Sequence, residues 1–311
     1  MAAKTTSIVA QENFQPIIDL VLDSLNSPHS KRAYGRAIYS FLGWWQDGGK
    51  PPLVKAIVQK YKTHLQEKGL SPATVNLHIS AIRKLAAEAA DNGLIPQDIA
   101  NVIGKVKGVR FAGVRVGNWL TKDQAQILIN TPDTTKIKGL RDRAILAVLV
   151  GTGLRRAEVA NLEFQHIQQR EGRWVIVDLV GKGNRVRTVP IPSWVKVAID
   201  EWAKAADIRT GRVFRGVYHY GNKLLPDSEG ITPQAIYYAV QEAIYQIGFL
   251  EISPHDLRRT FAKLAHKGGS GLDQIQLSLG HASIQTTERY LGIEQDLHEA
   301  PCDRLGLGLE D

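Results

Sequence analysis

The chain has 311 residues, 43% hydrophobic and 23% charged, which excludes a disordered polyelectrolyte and leaves room for two domains. Its net charge is +8, and because the last twenty residues hold six acids and one base, the body before them carries +13; such a body favours a polyanion, nucleic acid first, over a merely soluble basic protein. The single cysteine, Cys302, excludes an internal disulfide and a cysteine-rich zinc site, no apolar run nears the ~18 residues of a membrane helix, and no basic-then-apolar leader is present, so the chain is expected in the cytoplasm, away from membranes.

Residues 1 to about 12 read as a loose polar arm. Phe14, Ile17, Ile18, Val21, Leu22 and Leu25 then mark one helical face. Ser30 is placed to cap a second helix, with Tyr34, Ile38, Phe41, Leu42 and Trp45 inward and Lys31, Arg32 and Arg36 on or near the outer side. Gly48-Gly49 and Pro51-Pro52 stop it. A third helix uses Val54, Ile57, Val58, Tyr61 and Leu65 and ends near Gly69. Ser71-Pro72 opens a fourth, through Val75, Ile79, Ile82, Leu85 and Ala89, which stops at Asn92-Gly93. A short helix follows Pro96. Residues 1–105 are therefore expected to form a helical bundle. The run GKVKGVRFAGVRVGN (104–118) mixes bases with glycines and marks a linker, placed at residues 106–119; Lys105, Lys107 and Arg110 in that run are candidates for a DNA backbone.

The second unit opens on Thr121 and Gln124 at capping-box spacing. Leu140 to Val150 is apolar enough to be buried on most sides, and Gly151-Thr152-Gly153 breaks it before a short helix from Arg155 to Leu162. The period then changes to that of strands: WVIVDLV (174–180), a turn at Gly181 to Asn184, and Val186 to Ile191 predict a β-hairpin with Lys182 at its tip. Helices return at Ser193 to Ala205 and Thr232-Pro233 to Ile247, and Arg209 to Gly230 has no clear element.

The chemistry concentrates near the C-terminal end. Pro254 predicts a helix start that puts His255 and Arg258 on one side of a first turn, where free N–H groups and the helix dipole already favour an anion. Leu279-Gly280-His281 ends one helix, and Ser283, Thr286 or Thr287 begins the next, which carries Tyr290. Upstream, Arg155 follows a glycine turn, placed to fork two phosphate oxygens, and Lys182 presents an ammonium. Each has a plain alternative when taken alone: His255 as a cap, His281 as a loop histidine, Tyr290 as a surface tyrosine, Arg155 paired with Glu158, and Lys182 solvated.

Together and in order, these segments resemble the tyrosine recombinase family of phage integrases and Xer-type resolvases. GTGLRRAEVANL resembles its first arginine box, GKGNRVRTVPI its lysine hairpin, HDLRRTFA its His-x-x-Arg box and LGHASIQTTERY its final histidine-to-tyrosine box. The resemblance implies a mainly α fold with a small antiparallel β-sheet: an N-terminal helical core-DNA-binding domain, a catalytic domain over 120–291 and a tail over 292–311. It implies that Tyr290 attacks the scissile phosphate, Arg155 and Arg258 hold its non-bridging oxygens, Lys182 protonates the leaving 5′-oxygen, His255 assists proton transfer and His281 hydrogen-bonds the phosphate. No cofactor and no metal is implied. Arg156 stands where the family commonly has an apolar or small residue; Arg155 keeps the Gly-Leu-Arg register, and Arg156 is expected to face outward, toward DNA.

The implied partner is double-stranded DNA with a specific recombination site. Four protomers would exchange strands two at a time through a four-way junction, storing backbone energy in a 3′-phosphotyrosyl bond. The tail has Ile293, Leu297, Leu305, Leu307 and Leu309 among its acids; the resemblance implies docking on a neighbouring subunit, and the plain alternative is a flap over its own domain or a frayed end. A type IB-like topoisomerase and a non-catalytic DNA-binding protein of the same fold are the rival readings.

Overall fold

The computed structural model describes residues 14–110, 118–181, 186–218, 223–225, 229–249 and 252–292. The expected N-terminal arm, Lys182, Cys302 and the tail beyond Gly292 lie outside the described residues. The chain divides into two compact units, Met1–Val114 and Arg115–Asp311. Among the described residues, no helix is long and apolar enough to cross a membrane.

Among the described residues the first unit holds five helices: α1 (Gln15–Asp23), α2 (Pro28–Asp47), α3 (Lys55–Glu67), α4 (Pro72–Asp91) and α5 (Gln97–Gly104). The apolar stripes meet in one core that includes Phe14, Ile18, Ile38, Phe41, Tyr61, Ile79 and Leu85, and each such side chain contributes ~1.5–3 kcal/mol by leaving water. The α4 helix packs against the other four. It starts as expected, with the Ser71 hydroxyl accepting from the Thr74 N–H at 3.3 Å. The α2 helix starts earlier than expected. Its N-cap is Ser27, not Ser30, with Pro28 in the first turn, because proline presets the helical φ and lacks an N–H that would go unsatisfied there.

After α5 the chain stays attached to this unit. Val106 is buried, the Asn76 side chain accepts from the Val109 N–H at 2.7 Å and donates to the Val109 carbonyl at 3.0 Å, and Lys62 donates to the Lys107 carbonyl at 3.2 Å.

The second unit is built around α7 (Ile137–Thr152), whose residues 144–149 are wholly buried. Against α7 pack α6 (Lys122–Asn130), α8 (Arg156–Ala160), α9 (Ser193–Ala205), α10 (Pro233–Gln246) and α11 (Pro254–Lys267). The expected capping box at Thr121 and Gln124 is formed. Two further helices, α12 (Leu272–Leu279) and α13 (Ile284–Leu291), close the chain's described part.

A three-stranded antiparallel sheet runs in the order β1 (Ile167–Arg170), β2 (Arg173–Val180), β3 (Val186–Pro190). The hairpin of β2 and β3 was predicted; β1 was not, since IQQR has no apolar alternation. The pairing is irregular: Ile176 faces Val189 and Leu179 faces Arg187, so β2 advances three residues where β3 advances two. The extra residue is accommodated around Asp178, at φ +54°. A bulge of this kind re-aims side chains. Here the pairing puts Arg187 opposite buried Leu179 and on the inward side of β3, two residues from buried Val189.

Candidate active site

The first box is set by a helix stop. Gly153 caps α7 in the left-handed region at φ +64°, and a Cβ there would lie 2.5 Å from the Phe261 ring, so glycine is required for both conformation and space. Arg155 is the N-cap of α8. Glu158, buried at the third position of that helix, accepts from the Arg155 N–H at 2.7 Å and from Arg155 Nη1 at 2.9 Å. The plain sequence alternative, an Arg155–Glu158 pair, is therefore real, and it holds the arginine in place rather than removing it from the site. Arg156 is exposed, its guanidinium 6.0 Å from the Tyr237 ring centre.

The second box opens α11 through a capping box between Ser253 and Asp256, with Pro254 in the first turn. Arg258 is only 2% exposed. Its Nη1 donates to the Gly153 carbonyl at 2.6 Å and its Nη2 to the Leu279 carbonyl, so one guanidinium ties the ends of α7 and α12 together. Burial and the nearby Arg155 pull its pKa down to about 10, which leaves it cationic at neutral pH. An open cleft of about 460 Å³ is lined by Arg155, Arg156, Tyr237, His255 and Arg258, among others. His281 and Tyr290 are not part of its lining.

The last box follows Gly280, again left-handed at φ +63°. His281 places Nδ1 3.0 Å from the hydroxyl of Thr287, which is fully buried on α13. The Tyr290 ring stands edge-on to two imidazoles, with centroids 5.4 Å from His255 and 5.3 Å from His281. Its hydroxyl donates to the His255 carbonyl at 3.1 Å. The Arg259 guanidinium lies 4.9 Å from the centre of the same ring, and its buried Nε has no hydrogen-bond partner among the described residues.

The electrostatics follow from burial among cations. Burial, then Arg259 and Arg258, lowers the His255 pKa. Burial, then Arg258 and Arg155, takes His281 down to about 4. Both imidazoles are neutral at pH 7. Burial raises the Tyr290 phenol to about 12, against the pull of Arg258 and Arg259. Burial would raise the Glu158 carboxyl, but hydrogen bonds from Arg187 and the Arg155 N–H outweigh it and the pKa falls.

Five of the six residues read from the sequence thus gather in one region, with Lys182 outside the described residues. Of the outlying cations, Arg32, Arg36, Lys105, Lys107 and Arg110 are exposed, and Lys31 pairs with Asp23 at 2.9 Å. The sequence reading missed Arg187, Arg259 and Thr287 as members of the site. Only Arg187 carried a signal: period-two spacing with Val189 puts a charge on the inward face of a strand.

Residues 118–296 match the phage integrase family, and residues 17–93 match the phage integrase N-terminal SAM-like domain. The chain is 29% identical over 276 residues to a tyrosine recombinase XerC of Pelobacter propionicus, covering 87% of this chain and 86% of that protein. It is 26% identical to a tyrosine recombinase of Synechococcus elongatus over 90% of this chain and 89% of the other. In fold it is similar to a lambda integrase dimer bound to a COC′ core site, at TM-score 0.68 and 16% identity over 93% of this chain and 98% of that one. The XerH recombinase in a post-cleavage complex with difH gives 0.67 and 18%, over 93% and 88%. The chain belongs to the phage integrase family of tyrosine recombinases, and its activity is site-specific recombination of DNA.

Proposed function

We propose that Tyr290 is the nucleophile of strand cleavage and that Arg155, Arg258, His255, His281 and Lys182 form the rest of the phosphate site. The observation that carries this reading is the placement of the Tyr290 ring between His255 and His281, with Arg258 one turn on from His255 on α11 and bonded to the carbonyls of Gly153 and Leu279, two residues before Arg155 and His281. The Tyr290 oxygen attacks phosphorus, the bond from phosphorus to the 5′-oxygen breaks, the phenolic proton passes to a neighbouring base and the leaving oxygen takes a proton from Lys182. A phenol held at about 12 is a poor nucleophile by itself, so a neutral acceptor beside it is needed; His255 is kept neutral by its surroundings. If Nδ1 of His281 accepts from the Thr287 hydroxyl, the neutral ring carries its proton on Nε2, free to donate to phosphate. The transition state spreads charge over oxygens that two arginines can hold, and each such donor is worth about 10²–10³ in rate. Rejoining is the reverse, with a 5′-hydroxyl attacking the phosphotyrosyl bond.

The partner is double-stranded DNA carrying a specific site, bound by a homo-oligomer that exchanges strands in pairs through a four-way junction. Arg32, Arg36, Lys105, Lys107, Arg110 and Arg156 are exposed and free to meet phosphates, and with Lys31 they form the proposed DNA-facing set. The reaction takes place in the cytoplasm, on DNA. The test is covalent trapping on fragmented genomic DNA, followed by sequencing of the attached ends. Wild-type protein is expected to give an adduct on a denaturing gel, also in excess chelator, and Tyr290→Phe to bind the recovered site without any adduct. An adduct that persists in Tyr290→Phe refutes the assignment.

A further inference from the structure

Both arginines of the proposed phosphate site lean on a third. Arg187 on β3 has a side chain only 9% exposed. Its Nη1 and Nη2 donate to Glu158 Oε1 at 3.0 Å and Oε2 at 2.8 Å, and its Nε donates to the Ser278 carbonyl at 3.0 Å. Glu158 is the carboxylate that holds Arg155, and Ser278 precedes Leu279, whose carbonyl holds Arg258. Gly280 leaves room for this: a Cβ there would sit 3.0 Å from Arg187 Cδ.

A guanidinium buried here is electrostatically unfavourable. Arg187 lowers the pKa of both Arg258 and His281, so it raises the cost of keeping the site cationic. A buried ion pair also adds little stability over well-packed neutral side chains. What an arginine does better than a neutral residue is fix geometry, because its planar fork engages both carboxylate oxygens at once. Period-two spacing from buried Val189 on β3 is what turns it inward.

The geometry points to Arg187 as a positioning residue for strand cleavage, one that aims Arg155 through Glu158 and Arg258 through the end of α12 without touching the phosphate. This rests on the roles proposed above for Arg155 and Arg258. It also ties those two to the hairpin in which the sequence places Lys182, so the groups that hold the phosphate and the group proposed to protonate the leaving oxygen share one anchor.

The test uses a duplex carrying the site recovered by covalent trapping, made with either the normal scissile phosphodiester or a methylphosphonate. The methylphosphonate lacks the negative charge that arginines neutralise, so misaimed arginines matter less to it. Arg187→Gln is expected to lower the rate of adduct formation on the phosphodiester about 100-fold, to lose much less on the methylphosphonate, and to bind DNA as the wild type does. Arg187→Lys should fall between, and Glu158→Gln should show the same selectivity. A loss equal on both substrates, or no loss, overturns the proposal, because a structural defect does not distinguish them. If Arg187→Gln does not fold, the ratio of rates for Arg187→Lys decides in the same way. Tyr290→Phe is run beside them: an adduct in that variant, or none in the wild type, overturns the underlying reading instead.

Discussion

The two units solve different problems with the same kinds of residue. Among the described residues, the charged ones buried as whole residues, Arg141, Asp142, Glu158 and Arg258, all lie in the second unit. The first unit buries apolar side chains, and the bases singled out on it, such as Arg32 and Arg36, are exposed. An exposed base is well hydrated and held loosely, which suits contact with a backbone of regular charge. A buried base carries a desolvation cost and is held at fixed distances, which suits a single phosphate in a transition state. Under the roles proposed above, the contrast separates binding from chemistry within one chain.

The sharpest break of that contrast comes from a buried base. Arg258→Gln should slow adduct formation about 10²–10³-fold and lower the melting temperature, since the Gly153 and Leu279 carbonyls lose their donors. A lower melting temperature with an unchanged rate would make Arg258 a structural residue like any other. In the first unit, Ile38→Val, at a site with no exposure, should cost about 0.5–1.5 kcal/mol of stability. Adduct formation on saturating DNA should not change; a rate defect there would mean that the first unit's core governs chemistry.

Acid should act on the second unit. The pKa of His281 falls from 6.5 to about 4 on folding, so between those values the unfolded chain takes up a proton that the folded one does not. Stability should therefore decline as pH drops through that window, and His281→Asn should flatten the decline. Equal slopes in denaturation midpoints between pH 6.5 and 4.5 would contradict it. The smallest effect is expected at Arg36→Ala: stability within about 0.5 kcal/mol of wild type, and a slope of log affinity against log salt reduced by about 1. An unchanged slope would remove Arg36 from the DNA-facing set.

Much of the fold was legible because its signals are local. The stripes of α2, α3 and α4, the caps at Ser71 and Thr121, the helix start at Pro254, and the hairpin of β2 and β3 each depend on residues within a turn or two of one another. Where a local signal had a competitor, the reading slipped: Ser30 is a good cap, but Pro28 starts α2 sooner. The strand β1 was invisible because it borrows its order from its pairing with β2.

The candidate site divides the same way. The sequence alone determined which residue types stand in which order, from Arg155 through Lys182, His255, Arg258 and His281 to Tyr290, and the glycines at 153 and 280 that stop the helices before two of those boxes. Only the tertiary structure decided what each charge is held by. Arg258 finds a carbonyl 105 residues away, and Arg187 finds a carboxylate 29 and a carbonyl 91 residues away. Partners at that distance share no period and no turn. They meet because packing around α7 brings helix ends together, and buried guanidinium groups must then satisfy their N–H groups with whatever oxygens arrive there.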